Sequence, residues 1–195
     1  PEWVSVLRPD LGVVAACGGL LREPLLSTPR LGWINLHFSI LPRWRGAAPV
    51  QRAIIAGDDI TGATVFQLVP ELDAGDVFGR MTEPIGAHQP AGRLLEVLSV
   101  SGAELLLRVV DALADGTARA EPQAGDVTLA PKLTLDDGRI DWTASARAVH
   151  DLIRGVTPEP GAFTTVDDLR LKVLDATIAR DVPRVPAGEF VWENK

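Results

Sequence analysis

The sequence predicts an α/β protein with a doubly wound, mostly parallel sheet, followed by a small β domain. Up to Gly116, short apolar runs alternate with stretches of helical periodicity, which is the pattern of strands and helices in such a sheet. Beyond Gly116 the chain becomes turn-rich and then shows short alternating strands. We therefore expect a first domain at 1–117, a linker at 118–135 and a second domain at 136–195.

Four strands are predicted in the first domain. The earliest, Leu11–Cys17, is continuously apolar and runs into Gly18-Gly19, as expected for a buried parallel strand that enters a tight loop. The remaining three are rich in apolar or β-branched residues and are predicted at Gly32–His37, Ala63–Val69 and Val77–Ile85.

Helices are predicted between and after these strands. A short one could begin at Pro24–Leu26, a second spans Pro49–Ala56, and a long helix with a broad apolar stripe runs from Pro90 to about Ala114. In the second domain the periodicity predicts a helix over 143–154, followed by strands at Ala162–Val166, Leu169–Leu174 and Glu189–Trp192.

The composition of the chain argues against several classes of function, among them membrane proteins and metalloproteins. The chain has 195 residues, of which 46% are hydrophobic and 23% charged, and its net charge is −7. It contains no apolar run of the roughly 20 residues that a membrane span needs, so we expect no membrane association. The lone Cys17 fits a reducing cytoplasm, and the three scattered histidines give no metal-ligand spacing, so no metal is expected. The net charge argues mildly against nucleic-acid binding over the whole surface.

The two ends of the sequence predict an incomplete protein. The chain begins Pro1-Glu2-Trp3 without an initiator Met, and its only methionine is Met81. It stops just after a strand-like run at residues 190–192. We expect that amino-terminal strands of the first domain and part of the second domain are missing.

The strongest candidate site lies at the end of the second strand. Asn35, His37 and Ser39 occupy alternate positions, so their side chains share one face. Asp73 follows a later apolar strand in Leu72–Asp76 and could reach the same edge. An amide, an imidazole and a carboxylate brought together there could stabilise an oxyanion and move a proton. Ser39 is expected to be structural, with nucleophilic catalysis as the alternative.

Three arginines fall close to this candidate site. Arg43, Arg45 and Arg52 have no acidic residue between them. They could simply be solvated residues of a turn and of a helix start. Alternatively, they could bind a phosphate or a carboxylate, which a guanidinium holds through two hydrogen bonds.

These motifs together resemble the formyltransferases that use 10-formyltetrahydrofolate. The similarity rests on the sequence of Asn35–Pro42, then Gly46, Asp58, Thr61–Thr64 and Leu72–Asp76. Within that family, the segment Pro42–Arg52 is most similar to the branch that acts on methionyl-tRNA. Later parts of the chain resemble the junction of that branch with its carboxy-terminal barrel, at Pro131–Leu133, Arg139–Trp142, Arg154 and Pro158–Gly161.

The resemblance implies a fold and an activity. The first domain would be a Rossmann-like formyltransferase domain, and the second the start of an OB-like β-barrel. The enzyme would transfer the formyl group of 10-formyltetrahydrofolate to the methionine amine of initiator methionyl-tRNA, in the cytoplasm and as a monomer. Two alternatives remain open at this point: an acceptor that is a small amine, such as a nucleotide-linked amino sugar, or an inactive fragment that only binds folate.

The resemblance also implies site residues. Asn35, His37 and Asp73 would be catalytic. Folate would bind along Gly19, Leu20 and Leu21 and along Ser39, Ile40, Leu41 and Pro42. Arg43 and Arg45 would be candidates for binding the tRNA. One departure from the family pattern is Phe38, where Gly or Pro is commoner, and it could narrow the folate pocket.

Overall fold

A computed structural model describes residues 2–15, 21–180 and 185–189, without the side chains of residues 2, 3 and 5. Helix α1 (Glu2–Leu7) precedes strands β1 (Gly12–Ala15) and β2 (Trp33–His37). Then follow α2 (Pro49–Ile55), β3 (Ile60–Gln67), β4 (Val77–Pro84) and the long α3 (Ala91–Ala114). The chain continues with α4 (Ala146–Gly155), β5 (Ala162–Val166) and β6 (Leu169–Val173).

The predicted elements are largely present: one predicted helix is absent, helix α1 was not predicted, and two predicted strands lie partly outside the described residues. Residues 23–27 form a turn, closed by a hydrogen bond from Leu26 N to Arg22 O (3.1 Å), and the short helix predicted there is absent. The predicted end of the first strand, Ala16 and Cys17, lies outside the described residues, as do residues 190–192 of the last predicted strand.

The main sheet is mixed, and the prediction of a mostly parallel sheet was wrong for the described strands. Their order is β1-β2-β3-β4, and only β1 and β2 pair in parallel. Strand β3 pairs antiparallel with β2 on one side and with β4 on the other. The β3–β4 connection, residues 68–76, contains no helix, whereas a parallel pair needs a crossover of about a dozen residues or more.

The two faces of the sheet are covered differently. Helix α3 packs on one face, where Leu105 and Val109 meet Leu36 and Val65 of the central strands. On the opposite face, a smaller buried cluster is formed by Leu41, Phe66 and Val77. Because side chains alternate along a strand, Asn35 and His37 of β2 point away from α3, towards this second face.

The later part of the chain packs on α2 rather than standing apart. Helix α4 lies against α2, and its Ile153 joins Ile140, Val156 and Ala162 in a separate small core. Strands β5 and β6 form an antiparallel two-stranded sheet. Among the described residues after 136, this hairpin is the only β-sheet. The predicted start of a barrel is therefore not confirmed.

Within the described part of the chain, none of the helices combines the length and the apolar character that a membrane span requires.

Candidate active site

Strand β2 delivers the amide and the imidazole of the predicted site. Asn35 and His37 are 7% and 6% exposed and lie two residues apart on the same face. The His37 ring meets the Phe66 ring edge-on, with 6.4 Å between the ring centroids. A strand with two buried polar side chains on one face departs from simple core packing, because each such group needs a hydrogen-bond partner or a ligand.

The loop after β2 is closed by local hydrogen bonds. Ser39 is fully buried and its Oγ donates to the carbonyl of Arg43 at 2.6 Å. Thr64 of β3 donates its Oγ1–H to Ser39 O at 2.7 Å and accepts from Leu41 N at 3.2 Å. The Ser39 hydroxyl is thus held inside the turn, which supports the structural role predicted for it.

His37 is fixed by the backbone of this loop. Its Nε2 lies 2.9 Å from the carbonyl oxygen of Trp44. Since a carbonyl only accepts, Nε2 carries the proton, and in the neutral ring Nδ1 keeps a free lone pair. Nδ1 faces Asp73 Oδ2 at 3.8 Å, which is close for charge interaction but too long for a hydrogen bond. Burial lowers the pKa of His37 below its ordinary value, although the Asp73 charge and the Trp44 contact oppose this shift.

Asp73 is presented by a turn with unusual backbone geometry. It has a φ of 46°, in the left-handed region that Asp tolerates better than most residues. Its Oδ2 accepts a hydrogen bond from Gly46 N at 2.8 Å, and its side chain is 12% exposed. Gly46 has a φ of 119°, and a Cβ there would lie 2.8 Å from the carbonyl oxygen of Ala130, so a glycine is required.

A cavity of about 230 Å³ opens beside these three residues. Its polar lining includes Asn35, His37 and Asp73, and its apolar lining includes Leu21, Leu26, Phe38, Leu68, Leu72 and Leu95. Asn35 Oδ1 is buried and has no hydrogen-bond partner among the described residues. A buried amide oxygen left unpaired beside a mostly apolar cavity is the kind of group that pairs with a bound ligand or a water.

The residues predicted to bind folate differ in whether they line the cavity. Leu21 lines the cavity, whereas Gly19 and Leu20 lie outside the described residues. Leu41 is 2% exposed and packs in the core, and the Ile40 side chain lies near Gly62 on β3. Ser39, Ile40, Leu41 and Pro42 do not line this cavity, so their contact with folate stays a prediction.

Phe38 is accommodated by a glycine on α3. It lines the cavity and also packs against the core, where a Cβ on Gly102 would lie 3.2 Å from its ring. The ring therefore forms part of the cavity wall, and its narrowing of the folate pocket stays a prediction.

The candidate arginines are engaged within the protein. The Arg43 guanidinium donates to both carboxylate oxygens of Asp58 at 3.0 Å, while its side chain remains 53% exposed. Arg45 donates to Gln123 Oε1 at 2.6 Å, and Arg52 pairs with Asp137 at 2.9 Å. Arg43 is thus the one of the three with a largely exposed side chain, and Arg45 belongs to the support of the site.

Sequence reasoning missed the groups that support the site from the linker. Gln123 binds the backbone at Asp73, and Thr128 binds the backbone of Trp44. No motif or periodicity in residues 118–135 distinguishes these two from neighbouring polar residues. Their contacts span 50 and 84 positions of the sequence, so only the fold brings them to the site.

The arrangement can donate a hydrogen bond from the Asn35 amide, accept a proton at His37 Nδ1 and stabilise the resulting imidazolium with Asp73. Among the described residues, no group of three or more His, Cys, Asp or Glu side chains is placed to hold a metal ion.

Comparison with known proteins identifies the family. Residues 2–110 match the family described as formyl transferase, and residues 132–195 match the one described as formyl transferase, C-terminal domain. A methionyl-tRNA formyltransferase of Leifsonia xyli subsp. xyli is 62% identical over 194 residues, covering 100% of this chain and 64% of that protein. One of Clavibacter sepedonicus is 58% identical over 187 residues, covering 96% of this chain and 61% of that protein.

The chain thus spans slightly less than two thirds of the length of these curated relatives. Among solved structures, HypX from Aquifex aeolicus in complex with tetrahydrofolic acid superposes with a TM-score of 0.80 at 20% identity, over 95% of this chain and 32% of that one. This likeness shows a shared fold. The family match over more than half of the residues confirms the resemblance predicted from the motifs, and the chain belongs to the formyl transferase family.

Proposed function

We propose that this protein transfers the formyl group of 10-formyltetrahydrofolate to the methionine amine of initiator methionyl-tRNA. The observation that carries the proposal is the convergence of Asn35, His37 and Asp73 on one cavity, with the Asn35 Oδ1 unpaired and His37 Nδ1 free. The choice of acceptor rests on relatives at 58% and 62% identity that are named methionyl-tRNA formyltransferases.

The first step is attack of the amine nitrogen on the formyl carbon. A nitrogen–carbon bond forms while the carbonyl electron pair moves to oxygen, which gives a tetrahedral oxyanion. The amide N–H of Asn35 donates to that oxygen, and one such donor is worth about 3–4 kcal/mol of barrier. Asn35 Oδ1 has no hydrogen-bond partner among the described residues, so turning the amide towards the reacting atoms breaks no hydrogen bond at that oxygen.

The second step moves a proton. The attacking amine becomes positively charged and gives its proton to His37 Nδ1, because His37 lines the cavity and its Nε2–H stays on Trp44 O. The imidazolium is stabilised by the Asp73 carboxylate 3.8 Å away. The same proton then passes to N10 of the folate as the formyl carbon–nitrogen bond breaks, so the ring ends neutral and tetrahydrofolate leaves.

This scheme revises the role that the motifs predicted for His37. From the motifs, we expected the amide, the imidazole and the carboxylate together to stabilise an oxyanion and to move a proton. In the neutral ring the one N–H is used by Trp44 O, so donation to the substrate becomes available only at Nδ1 after the ring has taken up the amine proton.

The folate would occupy the cavity beside the catalytic residues. Its apolar lining, which includes Leu21, suits a flat aromatic ring system. Folate binding by Gly19 and Leu20 is proposed from the motif alone. The backbone of Ser39–Pro42 is proposed to border the folate. The exposed Arg43 is proposed to attract phosphates of the tRNA acceptor end. For Arg45, whose guanidinium donates to Gln123 Oε1, tRNA binding stays a prediction from the motif.

The test is formyl transfer by the full natural protein with different acceptors. With 10-formyltetrahydrofolate present, we expect formylation of charged initiator methionyl-tRNA, but no transfer to uncharged tRNA or to a nucleotide-linked amino sugar. Transfer to the amino sugar alone would replace the proposed acceptor. Absence of transfer to every acceptor, with folate binding retained, would contradict the proposed activity.

A further inference from the structure

A segment of the linker is hydrogen-bonded to both loops that adjoin the proposed catalytic residues, and we call residues 121–130 the strap. At one end, the backbone of Glu121 exchanges two hydrogen bonds with Val77 at the start of β4, at 2.8 and 3.0 Å. At the other end, Arg45 N donates to Thr128 O at 2.9 Å and Ala130 N donates to Arg45 O at 2.7 Å. The strap is therefore attached both beside the turn that carries Asp73 and to the loop that follows β2.

Hydrogen bonds rather than apolar packing hold the strap. Its two large apolar residues, Val127 and Leu129, are 52% and 62% exposed. By contrast, Gln123 and Thr128 are partly buried, and both make side-chain hydrogen bonds to the site loops. A segment that exposes its apolar side chains and turns its polar ones inward contributes little to a hydrophobic core. The hydrogen bonds of Gln123 and Thr128 to the site loops therefore indicate that the strap holds those loops in place.

Gln123 uses its whole side-chain amide on the site. Its Nε2 donates to Asp73 O at 2.8 Å and to Gly75 O at 2.9 Å, and its Oε1 accepts from Arg45 at 2.6 Å. Both carbonyls belong to the turn in which Asp73 adopts its left-handed backbone conformation. Such a conformation persists only when its surroundings fix it, and Gln123 supplies that restraint.

Thr128 acts in the same way on the other catalytic side chain. Its Oγ1 accepts from Trp44 N at 2.8 Å, and the carbonyl of Trp44 accepts from His37 Nε2. Trp44 also has a left-handed backbone, with a φ of 61°. Arg45 N, which shares a peptide group with the Trp44 carbonyl, donates to Thr128 O, so the strap fixes the direction of the carbonyl that selects the His37 tautomer.

We propose that the strap is a positioning element of the active site, and that Gln123 is a positioning residue that aligns the Asp73 carboxylate with His37. The inference rests on the proposed formyl transfer only where its test measures a reaction rate. Gln123 does not line the cavity, so it acts through Asp73 rather than on the substrate. A displacement of about 1 Å at a catalytic group can cost about 10²-fold in rate, so a small shift of Asp73 suffices.

Two variants test the proposal in the full natural protein. Gln123→Ala removes all three contacts, whereas Gln123→Glu keeps the acceptor for Arg45 and replaces the donor towards Asp73 O and Gly75 O with a carboxylate. We expect both to lower kcat by about 10-fold or more, with the KM for folate within about 2-fold. The matched control is Gln89→Ala, whose Oε1 accepts from Gly86 N at 3.0 Å in a turn that does not line the cavity. It should keep kcat.

A second measurement does not depend on turnover. The Asp73 charge raises the pKa of His37, so a misplaced carboxylate lets that pKa fall further, which NMR of the His37 ring detects as a titration shifted to lower pH. We expect this shift in Gln123→Ala, which adds no charge of its own, and not in Gln89→Ala. An unshifted His37 titration in a folded Gln123→Ala protein would overturn the proposal, even if the wild type transferred no formyl group and the proposed function had failed.

A double-mutant comparison separates positioning from a general loss of structure. If Gln123 acts through Asp73, the double variant Asp73→Asn with Gln123→Ala should have the kcat of Asp73→Asn alone. If the kcat loss of the double variant is instead the product of the two single losses, the proposal is contradicted. A Gln123→Glu enzyme with wild-type kcat would contradict it as well. Should Gln123→Ala fail to fold, Gln123→Glu carries the same comparison.

Discussion

At the scale of single residues, the site depends on backbone groups as much as on side chains. The carbonyl of Trp44 fixes the proton on His37 Nε2, and the amide of Gly46 holds Asp73 Oδ2. Trp44 is itself restrained at its N–H by Thr128 and at its indole N–H by Asp58, at 2.8 Å in both cases. The side chains proposed as catalytic are therefore held in place beside the cavity by backbone hydrogen bonds, which limits the reorganisation that the proposed reaction needs.

The alternate spacing of Asn35 and His37 allowed the sequence to predict these side chains correctly as neighbours on one face. Their meeting with Asp73 at one cavity was also predicted, and the structure brings the three together. The tautomer of His37 could not be predicted, because it depends on the direction of a loop carbonyl. The role of Gln123 could not be predicted from the sequence, because it depends on contacts with Asp73 and Arg45, which are far away in sequence.

The buried His37 predicts a particular dependence of stability on pH. Its pKa is lowered from 6.5, so above pH 6.5 the ring is neutral in both the folded and unfolded states. As the pH falls below 6.5, the unfolded chain binds a proton that the folded chain does not, and stability is lost down to the folded pKa. We expect the free energy of unfolding of the wild type, relative to His37→Gln, to decrease between pH 7.5 and 5.5. Chemical denaturation measures it, and a relative gain in stability at pH 5.5 would mean that the pKa is raised.

The exposed Arg43 predicts a salt-dependent contribution to tRNA binding. We expect Arg43→Ala to raise the KM for methionyl-tRNA and to reduce the slope of log affinity against log salt by about 1, with folate binding unchanged. Arg108→Ala is the matched control, since Arg108 is exposed on α3 about 20 Å along the helix from Leu95 at the cavity. Equal salt slopes for the two variants would show that Arg43 serves only its pair with Asp58.

At the scale of elements, the sequence was informative about where strands and helices lie and misleading about strand direction. The four strands of the main sheet and the long helix α3 were placed within a few residues. Continuous apolar runs indicated parallel strands, yet β3 is buried along most of its length and pairs antiparallel with both neighbours. Burial on two faces produces an apolar run whatever the strand direction, because α3 covers one face and the Leu41–Phe66 cluster the other.

The contact of α2 with α4 gives a prediction at this scale. A Cβ on Gly155 of α4 would lie 2.5 Å from Ile55 Cγ1 and 3.2 Å from the backbone carbonyl of Gln51. Gly155→Ala gains about 1 kcal/mol of helix propensity but crowds this contact, which costs about 1–3 kcal/mol. We expect a net loss of about 1 kcal/mol in the free energy of unfolding, measured by denaturant titration. The loss should shrink in an Ile55→Ala background, and an equal loss there would rule out crowding against Ile55.

At the scale of the whole molecule, the later part of the chain is built into the support of the active site. Helix α4 packs on α2, which contributes Pro49 and Gln51 to the cavity. Arg154 of α4 is buried and donates both to Asp151 and to the carbonyl of Gly86 after β4. Together with the strap, these contacts make the region after residue 117 part of the frame that fixes the catalytic geometry. The predicted domain division at 117 and 135 remains a prediction.

The most direct test of the account is the effect of the catalytic side chains on the rate of formyl transfer to methionyl-tRNA. We predict that His37→Ala and Asn35→Ala, made in the full natural protein, each lower kcat by about 10²-fold or more, because both act on the transition state. Folate affinity should change by less than about 2-fold, since neither replacement removes the apolar cavity wall. A His37→Ala enzyme that retains most of its kcat would contradict the central claim that Asn35, His37 and Asp73 form the catalytic site.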